Sequence, residues 1–241
     1  MTANAIYYES SEKLSTKWIE KNSESHDFKD GKGKIVLKDS VEEIGGGAFE
    51  NCSLESIVIP DSVTEIGELA FAWCADLTSI LIPDSVTEIG SKAFYGCTEL
   101  KLITVDPKNP VFDSRENCNA IIETETDMLI AGCQSTTIPA SVKKIGNYAF
   151  AGCTGLGTIV IHDYVTEIGE SAFEGCEALT SIVIPDSVTE IKYCAFRGCK
   201  NLSSIVIPDS VTEIDDLAFH GCDELPERTK KLLRSRYNYE F

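Results

Sequence analysis

The sequence predicts an α/β repeat solenoid of about eight coils, built from short strands and short helical turns. Three observations predict it. The phrase IPDSVTEI at 59–66 returns at 82–89, 184–191 and 207–214, and the chain advances 23 residues between the first two copies and again between the last two. Apolar residues recur in the same register. Val63, Val86, Val142, Val165, Val188 and Val211 form one column, and Ile66, Ile89, Ile145, Ile168, Ile191 and Ile214 form another. A single unit holds only about eight apolar positions, too few to close a core. Each unit must therefore bury its columns against the units stacked on it.

Residues 1–34 form an N-terminal flank and cap. Leu14, Trp18 and Ile19 suggest an amphipathic turn or strand over the first coil, and SESHDFKDGKGK reads as a loop. The repeat domain runs over 35–227. A 22-residue unit at 35–56 precedes units at 57–79 and 80–102. After an irregular stretch at 103–135 the pattern resumes at 136–158, 159–181, 182–204 and 205–227. Within a unit, the alternation in S-I-V-I places two isoleucines on one face and the residue between them on the other. β-branched residues favour a strand there.

Pro-Asp-Ser supplies turn chemistry, because proline fixes φ and Asp or Ser bonds the local backbone. V-T-E-I resumes a short strand. Gly67, Gly90, Gly146 and Gly169 suit a sharp corner, but Lys192 and Asp215 fill the same slot, so the corner does not demand positive φ. The Ala-Phe pair that follows, from Ala70 and Phe71 to Ala218 and Phe219, predicts a short helical turn with Phe inward. Each 23-residue unit then closes on a cysteine and, three residues later, a leucine.

The irregular coil is ten residues longer than a unit, and its AIIE-TETD-MLIA segment reads as a hairpin. At the other end, 228–241 predict a helical cap. Pro226 can open the helix. Leu225, Thr229, Leu232, Leu233 and Tyr237 then share one face, and five Lys or Arg residues oppose the acidic body.

The spacing L-x-x-I-x-I, as in Leu77-Thr78-Ser79-Ile80-Leu81-Ile82, is a leucine-rich-repeat signature. The full unit, I-V-I-P-D-S-V-T-E-I-G-x-x-A-F-x-G-C-x-x-L, resembles the bacterial surface-antigen class of leucine-rich repeats, the BspA-like proteins. The match covers 35–227, and NPVFDS at 109–114 is similar to an irregular coil of that family. The resemblance implies a right-handed coil stack with a parallel sheet, and adhesion or protein recognition as its task.

A net charge of −18 disfavours nucleic acid, whose binding rests largely on Lys and Arg against phosphate. The acid keeps an extended surface soluble; a cationic partner or a calcium ladder along Glu43, Glu65, Glu88, Glu167, Glu190 and Glu213 is the sharper alternative. No run of 18 apolar residues spans a membrane, and the first residues lack the pattern of a signal peptide. Seven of the ten cysteines (Cys52, Cys74, Cys97, Cys153, Cys176, Cys199 and Cys222) fill one repeat column, which reads as a buried thiol ladder, not disulfides or zinc. Unpaired thiols point to a reducing compartment, whereas the resemblance points to the cell surface or secretion.

The three histidines, His26, His162 and His220, fall in different repeat phases, and no phosphate-binding loop exists. No enzyme activity, cofactor or metal is expected. The expected partner is a protein, met by a monomer. Candidate contact residues are Val58, Leu81, Val160, Val183 and Val206 on the outward strand face, with Asn109, Phe112 and Arg115 on the irregular coil. A structural spacer without a ligand is the alternative.

Overall fold

The computed structural model describes residues 4–39 and 41–240. The chain forms two compact units, Met1–Ser114 and Arg115–Phe241, divided inside the irregular stretch.

In the first unit, strand β1 (Ala5–Ser10), helix α1 (Lys17–Asn22), strand β2 (Ser23–Lys29) and strand β3 (Lys32–Leu37) precede the coils. The strands pair antiparallel in the order β2, β3, β1 and then Leu54–Val58 of the first repeat strand. The loop expected over 23–34 is thus a hairpin. Its turn is Asp30-Gly31, with φ of 52° and 77°. Two left-handed central residues make the turn whose twist suits a two-residue hairpin, and Asp-Gly is its favoured sequence. Gly33 is required because the Tyr8 ring lies across it; a Cβ there would stand 1.9 Å from the ring. Helix α1 is capped by Thr16, whose hydroxyl accepts from Ile19 N at 3.2 Å. It buries Ile19 and lays Trp18 against Phe49.

Two parallel ladders run through the coils. In the first unit the V-T-E-I strands Glu43–Ile44, Glu65–Ile66 and Glu88–Ile89 stack in register, and Ser79–Ile82 pairs with Leu102–Val105. In the second unit Lys144–Ile145 pairs with Glu167–Ile168, Glu190–Ile191 with Glu213–Ile214, and Ser181–Val183 with Ser204–Val206. The expected hairpin is present as Ala120–Glu123 against Met128–Gly132, and its second arm starts the parallel ladder at Lys144–Ile145. Two repeats depart from the pattern. The Thr137-Ile138 segment forms no strand, and Thr158 contributes only an isolated bridge to Ser181. Beside the first, the Thr136 hydroxyl accepts from Cys133 N and donates to the Asn119 carbonyl, a local turn that competes with a ladder.

The Ala-Phe segments are chains of tight turns, not helix. Ala70 N bonds Gly67 O, Ala72 N bonds Leu69 O and Cys74 N bonds Phe71 O. A left-handed residue precedes the Ala in each coil: Gly47, Leu69, Lys92, Tyr148, Ser171, Cys194 and Leu217 all have positive φ. That conformation blocks helix propagation. The phenylalanines stack as rings nearly parallel. Phe49, Phe71 and Phe94 are spaced 5.5 and 5.6 Å in the first unit, and Phe150, Phe173, Phe196 and Phe219 are spaced 5.1, 5.3 and 5.5 Å in the second. Burying each contributes on the order of 2–3 kcal/mol.

Backbone bonds tie the same joints. Phe71 N donates to Ala93 O, and Phe150, Phe173 and Phe196 donate likewise to Ala172, Ala195 and Ala218.

The second unit ends in helix α2 (Glu227–Tyr237), opened at Pro226 and closed by left-handed Asn238. Leu233 is fully buried and Tyr237 packs on the core, but Leu232 faces solvent. The inward stripe is therefore narrower than the sequence suggested, since Leu232 sits about 100° round the helix from Leu233. Tyr239, past the helix, completes the cover. Its ring meets Phe219 edge-on at 5.9 Å, and its hydroxyl accepts from Phe219 N at 2.7 Å. That oxygen takes the place of the Ala carbonyl that a following coil would offer.

Candidate recognition faces

The outward strand residues stand in rows within each unit. Val58 and Leu81, each 51% exposed, project from successive strands of the first unit, and Tyr7 of β1 lies directly opposite Val58. Leu102 is also exposed, two residues before Thr104, the partner of Leu81. In the second unit Val160, Val183 and Val206 are 69%, 60% and 53% exposed. Their neighbours along the strands, Ile80, Ile82, Ile182 and Ile184, are buried. The pleat causes the difference: alternate side chains take opposite faces.

The irregular-coil candidates are engaged differently. The Asn109 amide donates to Pro83 O and Val86 O at 2.7 and 2.8 Å, and its oxygen accepts from Val111 N and Phe112 N at 2.9 and 2.7 Å. Phe112 is only 4% exposed. Ser114 accepts from Val105 N at 3.1 Å. The N-P-V-F-D-S motif is a clamp that seats this coil on the one before it. Arg115 in the second unit reaches Asp127 at 2.8 Å, and Lys143 meets the other oxygen of that carboxylate at 2.8 Å. Hydrogen bonds from Lys143 and Arg115 hold the Asp127 carboxyl below the usual range.

The glutamate column differs between the units. Partial burial, with Glu43 and Glu88 on either side, raises the Glu65 carboxyl. Glu167 is drawn the other way by Lys192, with Lys144 adding at 3.2 Å. Among the described residues no group of three His, Cys, Asp or Glu is arranged to hold a metal ion.

None of the ten cysteines is joined in a disulfide. Each regular joint uses its thiol as a donor: Cys74 to Phe49 O, Cys97 to Phe71 O, Cys199 to Phe173 O and Cys222 to Phe196 O, all at 3.1 Å, and Cys176 to Phe150 O at 3.2 Å. Burial pushes Cys222 up to about 12 and raises Cys176 and Cys199 well above the ordinary thiol value. Thiolate is the reactive form, so these groups are inert at neutral pH.

The histidines stay apart. His26 bonds the Tyr8 hydroxyl at 2.7 Å and is lowered by burial and then by Lys13. His162 Nε2 sits 3.0 Å from Ile138 O, and His220 is exposed. No helix among the described residues is long and apolar enough to cross a membrane.

Sequence reading missed the hairpin lysines Lys29, Lys32 and Lys34. The Asp30-Gly31 pair was the signal for the turn that aligns them.

In-register short strands, stacked phenylalanines and turn-rich returns define a leucine-rich-repeat solenoid. A family model described as a BspA type leucine rich repeat region, in six copies, matches residues 25–124 and 129–231, and the chain belongs to this family. It is similar to the crystal structure of a leucine rich cell surface protein from Faecalibacterium prausnitzii A2-165, with 36% identity, a TM-score of 0.69, and 78% of this chain and 51% of that chain covered. A leucine-rich repeat protein from Eubacterium ventriosum shares the fold at 24% identity and a TM-score of 0.57, over 77% of this chain and 63% of its own. The chain thus spans about half the length of the first and under two thirds of the second. No match was found among curated proteins.

Proposed function

We propose that this chain is a non-enzymatic recognition module that binds a protein through its outward strand faces. One observation carries the reading: in both units apolar side chains project from the outward column into solvent, although the apolar columns on either side of it are buried. Exposed apolar rows of this kind mark interaction surfaces when contiguous. A ladder-bonded scaffold orders little on binding, which keeps the entropic cost of association low. The leucine rich cell surface protein among its relatives supports a setting at the cell surface, where the module serves adhesion. The internal bonds of Asn109 and Arg115 and the burial of Phe112 support a bracing role for the irregular coil.

The test replaces Val160, Val183 and Val206 together by Glu. Capture of partners from host or microbial extracts is expected to fall to background while the circular dichroism spectrum is unchanged. Undiminished capture with the fold intact rejects the reading.

A further inference from the structure

The outward face of the first unit does not stop at the repeat strands. Tyr7 of β1 is paired with Val58 on one side and with Lys34 of β3 on the other, and Lys34 is paired in turn with Asp27 of β2. The next row runs Lys29, Lys32, Glu9 and Ser56. Directly opposed residues in antiparallel strands share a face, so the hairpin extends the Val58–Leu81 strip with a basic margin. Lys29, Lys32, Lys34, Tyr7, Asp27, Phe28 and Gly33 line a shallow cleft of about 410 Å³.

Two features set this margin apart. Residues 1–39 hold seven acidic and seven basic side chains, so the whole net charge of −18 resides in the rest of the chain. Lys29 also stands directly opposite Lys32, a like-charge pair that destabilises a bare sheet. Lys32 meets Glu9 at 3.3 Å and remains largely exposed, and Asp27 stands across from Lys34. Lys34 Nζ lies 5.8 Å from the Tyr7 ring centre. An anion seated between the lysines would relieve their repulsion.

We infer that this face binds an acidic polypeptide segment in which a run of acidic residues is followed by a run of apolar ones. The carboxylates meet Lys29, Lys32 and Lys34, and the apolar side chains lie along Tyr7, Val58 and Leu81. The apolar row decides for a polypeptide over a sulfated or carboxylated glycan, which has no side chains to bury there. The inference rests on the outward-face reading above and names the partner chemistry for one unit.

Fluorescence anisotropy with two labelled probes tests it: a short peptide with a run of Glu followed by a run of Leu, and one with a run of Glu followed by a run of Ser. The Glu–Leu peptide is expected to bind about tenfold more tightly and to weaken as salt is raised. Replacing Lys29, Lys32 and Lys34 together by Gln is expected to weaken it about tenfold. Leu81→Glu should remove the preference for Leu over Ser, and V160E/V183E/V206E in the other unit should change nothing.

Equal binding of the two peptides, or none, overturns the inference, as does a heparin fragment that competes more strongly than either. Concentration-dependent self-association abolished by the glutamine variant assigns the face to a second copy and also overturns it. If the peptides fail while V160E/V183E/V206E still abolishes partner capture, the outward-face reading stands and the acidic-segment reading alone falls.

Discussion

The same backbone column carries opposite electrostatics in the two units. Glu43, Glu65 and Glu88 stack as bare carboxylates in the first, and Glu65 is raised by partial burial and by its neighbours. In the second, Lys144 occupies a rung of the column and Lys192 reaches Glu167, which is lowered. The strand pairing is nevertheless identical, Glu opposite Glu or Lys, Ile opposite Ile. Side-chain charge therefore does not set the register. The buried isoleucines, phenylalanines and backbone bonds set it, and the carboxylates accept the spacing imposed on them.

The comparison breaks first at the aromatic column. Phe71→Ala in the first unit and Phe173→Ala in the second each remove a fully buried ring with rings above and below, and each is expected to destabilise by about 3–5 kcal/mol, read from denaturant midpoints. If one costs a small fraction of the other, the two stacks are not equivalent in holding their units.

A smaller effect is expected from Tyr239→Phe. The ring stays on Phe219 but the buried Phe219 N–H loses its acceptor, at a cost of about 1–3 kcal/mol in thermal or chemical unfolding. A neutral outcome would show that solvent reaches that nitrogen.

The smallest effects sharpen the charge comparison, each under about 1 kcal/mol because both side chains lie near the surface. Glu65 is raised in the folded state, so protonation favours folding and its destabilising repulsion grows as pH rises through that value. Glu65→Gln should stabilise at neutral pH, and the gain should shrink on acidification. Glu167 is lowered, so its contribution is present above the ordinary carboxylate value and is lost as pH falls through the depressed one. Glu167→Gln should destabilise at neutral pH, and that loss should vanish in acid. Parallel pH profiles for the two variants would refute the contrast.

Much of this architecture was legible because stacking converts a sequence column into a physical row. Ile66, Phe71 and Cys74 needed only their period to be placed in the core. The corner glycines were also read correctly, although for a reason the sequence hides. None of Gly67, Gly90 and Gly169 has positive φ, but a Cβ on Gly90 would stand 2.4 Å from Glu68 N on the coil below. Close approach between coils is invisible in one unit taken alone.

The left-handed positions were not legible at all. Leu69, Lys92, Tyr148 and Leu217 carry no local mark of that conformation. In the next coil, Ser91 O receives Leu69 N and Glu170 O receives Tyr148 N, so stacking holds the strain. The candidate site was half readable. Period and pleat placed Val58 and Val183 outward, whereas Phe112 looked available only because nothing local shows the clamp Asn109 builds above it. The hairpin was obscured by polarity: SESHDFK lacks an apolar run, and its inner face is defined by Tyr8, which stacks on Phe28 from another strand.

Every regular joint is made from the same two handshakes, a phenylalanine amide reaching forward and a thiol reaching back. A joint so uniform does not know its place in the series. An in-frame copy of one 23-residue block could be spliced in at Cys199, and Tyr239 would still meet a Phe of the same geometry. The chain can thus grow or shrink by whole blocks under selection while both ends stay as they are, so that reach becomes a variable independent of folding.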